Sequence, residues 1–225
     1  MSEASGPELI RDLERRFVTS HEHAALPGLD VDLMRPRNAD ELISEEEFVA
    51  DERLPYWADL WPSSRVLGAR LLEEAGDARS LIELGCGLGL VTIAAMRSGF
   101  DVLATDYYED ALRFTRANAW RTFGREPSTR LVDWRAVPED LGTATRVVAA
   151  DVLYERRYAL LVASVIAQTL AENGEALIAD PGRVATPEFL RQCERHDLQV
   201  VGTDVRPYEA GAIHQRITIY TLRRA

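Results

Sequence analysis

From Leu54 onward, short apolar runs alternate with longer stretches in which apolar positions recur every three or four residues. The short runs predict strands over Ser80–Leu84, Asp101–Thr105, Arg130–Trp134, Arg146–Asp151 and Glu175–Asp180. Several of them are almost continuously apolar, as a parallel strand buried on both faces must be. The longer stretches predict helices, the first from Ser63 to about Ala75, with Pro62 at a first helical position where its missing N–H costs nothing. Further helices are expected over Leu88–Ser98, Glu109–Phe123, Tyr158–Ala171 and Pro187–His196, with Gly99 and Gly124 as C-terminal caps and Asn173-Gly174 following the end of the third. The pattern then changes: Gln199–Pro207 and Gln215–Leu222 flank a glycine-containing loop and read as a β-hairpin. Five strand–helix units closed by a hairpin predict an α/β fold with a doubly wound seven-stranded sheet, mostly parallel, with an antiparallel strand from the C-terminal hairpin.

Up to about Arg53 the chain reads as polar and irregular, with Pro27-Gly28, Pro36 and the acidic run Glu45-Glu46-Glu47. The expected division is an N-terminal extension over 1–53 and a main domain over 54–225. At 225 residues, 46% hydrophobic and 28% charged, the composition is that of a globular protein with a sizeable core. All 26 basic residues are arginine; against 37 acids they leave a net charge of −11, the wrong sign for a protein that grips nucleic acid through its phosphates. Cys86 and Cys193 are far apart and lack metal-ligand spacing, so neither a disulfide framework nor a metal site is expected. The N-terminus has no basic-then-apolar leader, and no apolar run is long enough to span a bilayer. These features predict a cytoplasmic protein without a membrane partner.

The most informative stretch is Leu81-Ile82-Glu83-Leu84-Gly85-Cys86-Gly87-Leu88-Gly89. A hydrophobic strand runs into a glycine turn and then a helix, so a ligand can approach bare backbone at a helix N-terminus. A dinucleotide fingerprint would place its third glycine at position 90, which is Leu90. Glu83, just before the turn, would repel a pyrophosphate but suits a ligand carrying an ammonium group. Asp106, at the carboxyl end of the second strand, is placed to accept both hydroxyls of a ribose, although a helix N-cap is the alternative. At the end of the third strand, Trp134 can cover an adenine face or merely cap the sheet edge, and Asp133 can meet the exocyclic amine. Together these residues favour an adenosine ligand.

This E-x-G-x-G-x-G loop and its partners resemble the class I, seven-β-strand S-adenosylmethionine-dependent methyltransferases, from about Leu54 to the C-terminus. The resemblance implies a Rossmann-like fold and S-adenosylmethionine as cofactor. Gly85, Gly87 and Gly89 would lie at its methionine end, Asp106 at the ribose and Trp134 at the adenine. Two further segments, Pro55-Tyr56-Trp57-Ala58-Asp59-Leu60-Trp61-Pro62-Ser63 and Asp151-Val152-Leu153-Tyr154, resemble the protein-lysine methyltransferase branch that includes the enzymes of the electron-transfer-flavoprotein β-subunit. Asp180-Pro181-Gly182-Arg183 is also similar to bacterial members. The branch implies Trp61 and Ala150 against the cofactor, Asp151 and Tyr154 at the substrate mouth, and a protein lysine as acceptor. The first fifty residues match no pattern of that family.

An amine acceptor also agrees with the chemistry of the residues. A lysine amine, with a pKa of about 10.4 in water, must lose its proton before it can take a methyl group. An apolar vestibule of Tyr56, Trp57 and Tyr154 would lower that pKa by desolvation, while Asp151 opposes this and suits a positioning role first and a base role second. Each residue also has a plainer reading: a loop contact for Asp151, packing for Tyr154, and a core pair for Trp57 and Trp61. His21-x-His23 reads as a solvated pair, Cys86 as a small residue filling the turn, and Glu45–Glu47 as a solvated helix face. Two other functions stay open: a small-molecule N-methyltransferase of the nicotinamide type, and a non-catalytic module that binds the same cofactor.

Overall fold

The computed structural model describes residues 5–42 and 55–225, apart from the side chains of Asp40 and Glu41. The Glu45–Glu47 run and the expected boundary at Arg53 and Leu54 lie outside the described residues. The elements are α1 (Gly6–Arg16), β1 (Thr19–Leu26), β2 (Leu29–Pro36), α2 (Pro62–Leu71), β3 (Ser80–Leu84), α3 (Leu90–Arg97), β4 (Asp101–Asp106) and α4 (Glu109–Phe123). They continue with β5 (Ser128–Leu131), β6 (Ala144–Ala150), α5 (Tyr158–Thr169), β7 (Leu170–Asp180), α6 (Thr186–Arg195), β8 (Leu198–Ala210) and β9 (Ile213–Arg224).

Seven strands form one sheet in the order β5-β4-β3-β6-β7-β9-β8. β3 to β7 pair in parallel, and β9 runs antiparallel to both of its neighbours. Because residues alternate across a strand, β3 sends Leu81 to one face and Ile82 and Leu84 to the other. On the first face Leu81 joins Val66, Leu67 and Leu71 of α2 and the apolar residues of α3; on the second, Ile82 and Leu84 join α5 and Phe189 of α6. The strand order reverses between β3 and β6, leaving a crevice at their carboxyl ends, where ligands bind in sheets of this type.

The N-terminal region is not irregular: it forms a helix and a two-stranded antiparallel hairpin. The signals lie in the sequence. Leu29, Val31 and Leu33 alternate with the exposed Asp30 and Asp32, and Pro27-Gly28 makes the turn, with Gly28 at φ +73°. Leu9 and Leu13, one helical turn apart, form the buried stripe of α1. These elements cover the helices of the first face: β2 packs on α3 and α4, and α1 on α4, where Leu9, Leu13 and Met34 meet Phe114.

Several element boundaries also differ from expectation, among them the end of α2 at Leu71 instead of about Ala75 and the longer hairpin strands. The third strand covers Ser128–Leu131, and Val132 leaves the ladder with its N–H bonded to the Asp106 carbonyl at 2.8 Å. The helix predicted to reach Ala171 ends at Thr169, and β7 begins at Leu170, pairs with Ala144, bulges through 171–174 and resumes at Glu175. Asn173-Gly174 thus marks a bulge, not a helix end. Among the described residues no helix is long and apolar enough to cross a membrane.

Candidate cofactor and acceptor site

At the carboxyl end of β3 the chain turns through Gly85, Gly87 and Gly89, with φ of +73°, +53° and +86°. The N–H groups of Gly85 and Cys86 both donate to the Thr105 carbonyl of β4, at 2.9 and 3.0 Å, which pins the loop to the neighbouring strand. Space as well as φ demands glycine here. A Cβ on Gly89 would lie 2.9 Å from Thr115 of α4, and one on Gly87 would lie 3.1 Å from the Trp57 carbonyl. The loop is therefore sandwiched between α4 and the turn formed by Tyr56–Ala58.

A cavity of about 260 Å³ opens above this loop. Every predicted site residue lines it except Glu83: Tyr56, Trp57 and Trp61; Gly85, Gly87 and Gly89; Asp106, Asp133 and Trp134; Ala150, Asp151 and Tyr154. Asp106, at the tip of β4, accepts the Gly87 N–H through Oδ2 at 3.0 Å and the Tyr108 N–H through Oδ1 at 3.0 Å. Burial raises its pKa above the usual carboxylate value, and these backbone donors hold it down. Asp133 accepts the Arg135 backbone N–H at 2.9 Å and also pairs with the Arg135 side chain. Trp134 packs edge-on against Tyr158 with ring centroids 5.7 Å apart, and its Nε1 is buried without an acceptor among the described residues.

At the other end, Asp151 adopts a left-handed backbone conformation, φ +61°, as β6 ends. That turn brings its carboxylate to the Ser63 hydroxyl, 3.0 Å from Oδ2, and to Arg183 Nε, 2.6 Å from Oδ1. Burial raises the pKa of Asp151 while Arg183 and Ser63 oppose the rise. Tyr154 touches Tyr56 and Tyr158 with centroids 4.8 and 4.9 Å away, and burial pushes its phenol far above the ordinary tyrosine range. The roof turn sends Tyr56 and Trp57 different ways. Tyr56 meets Tyr154 and Trp61, whereas Trp57 packs on Phe114 and Tyr108 over the glycine loop. Trp57 and Trp61 do not form a stacked pair; Trp61 donates its indole N–H to the Tyr56 carbonyl at 2.9 Å.

Glu83 sits behind the loop on the face covered by α3, bonded to the Thr92 hydroxyl and buried. Burial first, then the charge of Asp106, pushes its pKa up to about 8. A raised folded-state pKa means that the group's contribution to stability is complete below its unfolded value near 4.5 and is lost as pH rises through about 8. We expect Glu83→Gln, which keeps an acceptor for Thr92, to remove this component. Its unfolding free energy should fall less than that of the wild type between pH 5 and pH 8, with the difference on the order of 2 kcal/mol or more. Parallel stability–pH curves from urea titrations would show that Glu83 does not titrate in this window.

Sequence reasoning missed three contributors. Arg183 and Ser63 lock Asp151; both fall in segments singled out by resemblance, but nothing local assigns them this role, because the three meet only through packing of α2 and the loop after β7. Asn118 of α4 is fully buried and joins Met34 of β2 to the Leu88 carbonyl behind the glycine loop. A polar residue among the buried positions of α4 was its only signal.

The residues present fit an adenosine-sulfonium ligand. The glycine loop presents bare backbone to the cavity, the buried Asp106 carboxylate lines it, and so does Trp134, whose buried indole N–H has no acceptor among the described residues. Among the described residues no cluster of His, Cys, Asp or Glu has the makings of a metal site.

Comparison with known proteins agrees with this geometry. Residues 54–196 match the family described as lysine methyltransferase. Among curated proteins, the chain is 26% identical over 138 residues to protein-lysine N-methyltransferase rrg1 of Schizosaccharomyces pombe, covering 55% of this chain and 46% of that one. It is 40% identical over 67 residues to the electron transfer flavoprotein β-subunit lysine methyltransferase of Danio rerio, covering 28% of this chain and 26% of that one. The chain thus spans about half the length, or less, of these relatives. Among solved structures, magnesium protoporphyrin IX methyltransferase from Synechocystis, with bound S-adenosylmethionine, superposes with a TM-score of 0.59 at 16% identity, covering 82% of this chain and 94% of that one. The ribosomal protein L11 methylase of Lactobacillus delbrueckii gives 0.54 at 19% identity, covering 70% and 76%. At these identities the structures establish the fold: an α/β, Rossmann-like methyltransferase sheet.

Proposed function

The chain belongs to the lysine methyltransferase family, and from that premise we propose that it transfers a methyl group from S-adenosylmethionine to the side-chain amine of a lysine in a partner protein. The observation that carries this reading is the meeting, in one cleft, of the glycine cradle and Asp106 with a mouth made of Tyr56, Tyr154 and Asp151. Gly85, Gly87 and Gly89 would hold the methionine end, Asp106 the ribose hydroxyls, and Trp134 with Asp133 the adenine. Trp61 and Ala150 would lie against the cofactor. When bound, it supplies a methyl carbon made electrophilic by the sulfonium.

The chain's own residues prepare the acceptor. Tyr56 and Tyr154 strip water from the entering amine and so lower its pKa, and their rings hold it in line for displacement. Tyr154 is not the base: its phenol keeps its proton throughout the working pH range. Asp151, tied to Ser63 and Arg183, orients the acceptor. We assign residues 1–53 to acceptor recognition, and one contact supports this: Arg35 of β2 bonds Asp59 of the roof at 2.5 Å and Glu22 at 2.7 Å, which ties the hairpin to the turn over the cleft. The net charge of −11 favours a lysine-bearing protein surface over nucleic acid or an anionic membrane.

The test is to incubate the protein with radiolabelled S-adenosylmethionine and a lysate of the organism that makes it. We expect label in a discrete protein band, on lysine after hydrolysis. Because the chain contains no lysine, no such label can come from the enzyme's own side chains. Label confined to the small-molecule fraction would replace this reading with that of a small-molecule N-methyltransferase. Binding without transfer to any component would leave a cofactor-binding module.

A further inference from the structure

Asp151 is committed before any acceptor arrives. Its side chain is 1% exposed and both oxygens are in use, one by the Ser63 hydroxyl and one by Arg183 Nε. The Arg183 guanidinium carbon also lies 5.2 Å from the centroid of the Trp61 ring, which its bond to the Tyr56 carbonyl holds in place. A carboxylate beside an aromatic face is a receptor for an organic cation. Here the cation comes from the chain itself.

The loop that delivers Arg183 is built for the purpose. Asp180 Oδ1 accepts the Gly182 N–H at 2.7 Å, the Arg183 N–H at 2.8 Å and the Thr186 hydroxyl at 2.6 Å, so the backbone is fixed. The Arg183 side chain is different: it is 32% exposed and lines the cleft, with solvent on one side into which it can swing.

Resting on the lysine reading above, we propose that Arg183 fills, from within the chain, the position that the acceptor's ammonium takes on Asp151, and that the acceptor enters by displacing it. The exchange of one cation for another never leaves the buried carboxylate unpaired, a state that is strongly destabilising. It also selects acceptors, because only a cation on a slim, flexible stem can take the place over. Arg183 itself is a poor acceptor, since the nitrogen lone pairs of a guanidinium are delocalised over the planar group. A lysine at this position would instead be a substrate held in the enzyme's own mouth.

Two measurements test this. In the first, without cofactor, Arg183→Ala is titrated with butylammonium chloride against sodium chloride of equal ionic strength. A vacated cation site should bind the probe, and at about tenfold excess over half-saturation Tm should rise by about 3–5 °C. The wild type and Arg183→Ala/Asp151→Asn should show no such rise. Identical curves for the wild type and Arg183→Ala would overturn the proposal.

In the second, Arg183→Lys is incubated with S-adenosylmethionine alone and its intact mass recorded. The deprotonated amine forms the new N–C bond while the methyl–sulfur bond breaks with its electron pair left on sulfur, giving S-adenosylhomocysteine; the amine's proton goes to water. We expect a gain of whole methyl groups at the lysine introduced by Arg183→Lys, and none in the wild type. No gain in mass would overturn the proposal. A wild type that labels lysate lysines while Arg183→Lys stays unmodified sinks this inference alone. A wild type that labels only small molecules sinks the lysine reading, and the butylammonium titration still decides whether Arg183 fills a cation site.

Discussion

Asp106→Ala is expected to bind S-adenosylhomocysteine at least ~100-fold more weakly than the wild type, because the two charge-assisted hydrogen bonds proposed to the ribose would be worth about 3 kcal/mol together and both would vanish. The loss will not stop at the ligand. The same carboxylate holds the Gly87 N–H of the glycine loop and the Tyr108 N–H after β4, so its removal also frees the glycine loop from the tip of β4. Asp106→Asn should fall in between: it keeps one acceptor oxygen but turns an amide donor toward one of those N–H groups. Calorimetry at constant pH reads both variants. Wild-type affinity in Asp106→Ala would mean that the carboxylate serves only the loop, and that the ribose lies elsewhere.

The second large effect falls on stability. Asn118→Ala should lower the unfolding free energy by about 3–4 kcal/mol, since it strands three buried backbone groups at once. Asn118 Oδ1 accepts the Met34 N–H at 2.8 Å, and its Nδ2 donates to the Met34 and Leu88 carbonyls, each at 3.0 Å. The side chain is fully buried, so water is not at hand to take its place. One amide therefore clamps the N-terminal hairpin, α4 and the chain entering α3 into a single unit. Urea unfolding followed by circular dichroism measures the change, and a loss below ~1 kcal/mol would show that the backbone groups find other partners.

The central sheet was legible because its inner strands are mostly buried on both faces and two of its helices end at left-handed glycines, so local composition and fold agree. The glycine loop was legible for a related reason: backbone conformation and close approach both demand glycine, and that demand shows in any copy of the sequence. The N-terminal hairpin was misread although Leu29, Val31 and Leu33 alternate cleanly with acids. Its charged positions outweighed a pattern only a few residues long. At Asn173-Gly174, a turn signal that ends helices elsewhere marks a bulge in β7 instead, because pairing with β6 extends the strand back to Leu170.

The candidate site divides along the same line. Gly85, Gly87, Gly89, Asp106 and Trp134 follow strand ends in order, and a parallel sheet brings successive strand ends to one edge whatever the rest of the chain does. Their meeting was therefore determined by sequence alone. The position of Glu83 was not, since one residue of strand alternation decides whether a carboxylate faces the crevice or the helix behind it, and here it faces Thr92. Nor was the state of Asp151. Ser63, beside Trp61 at the start of α2, and Arg183 come from two separate segments and converge on it only when α2 and the loop after β7 close over β6. Strand order and backbone conformation are local properties that a sequence carries in its pattern; the pairing of a buried charge depends on distant side chains, and only the packed molecule selects them.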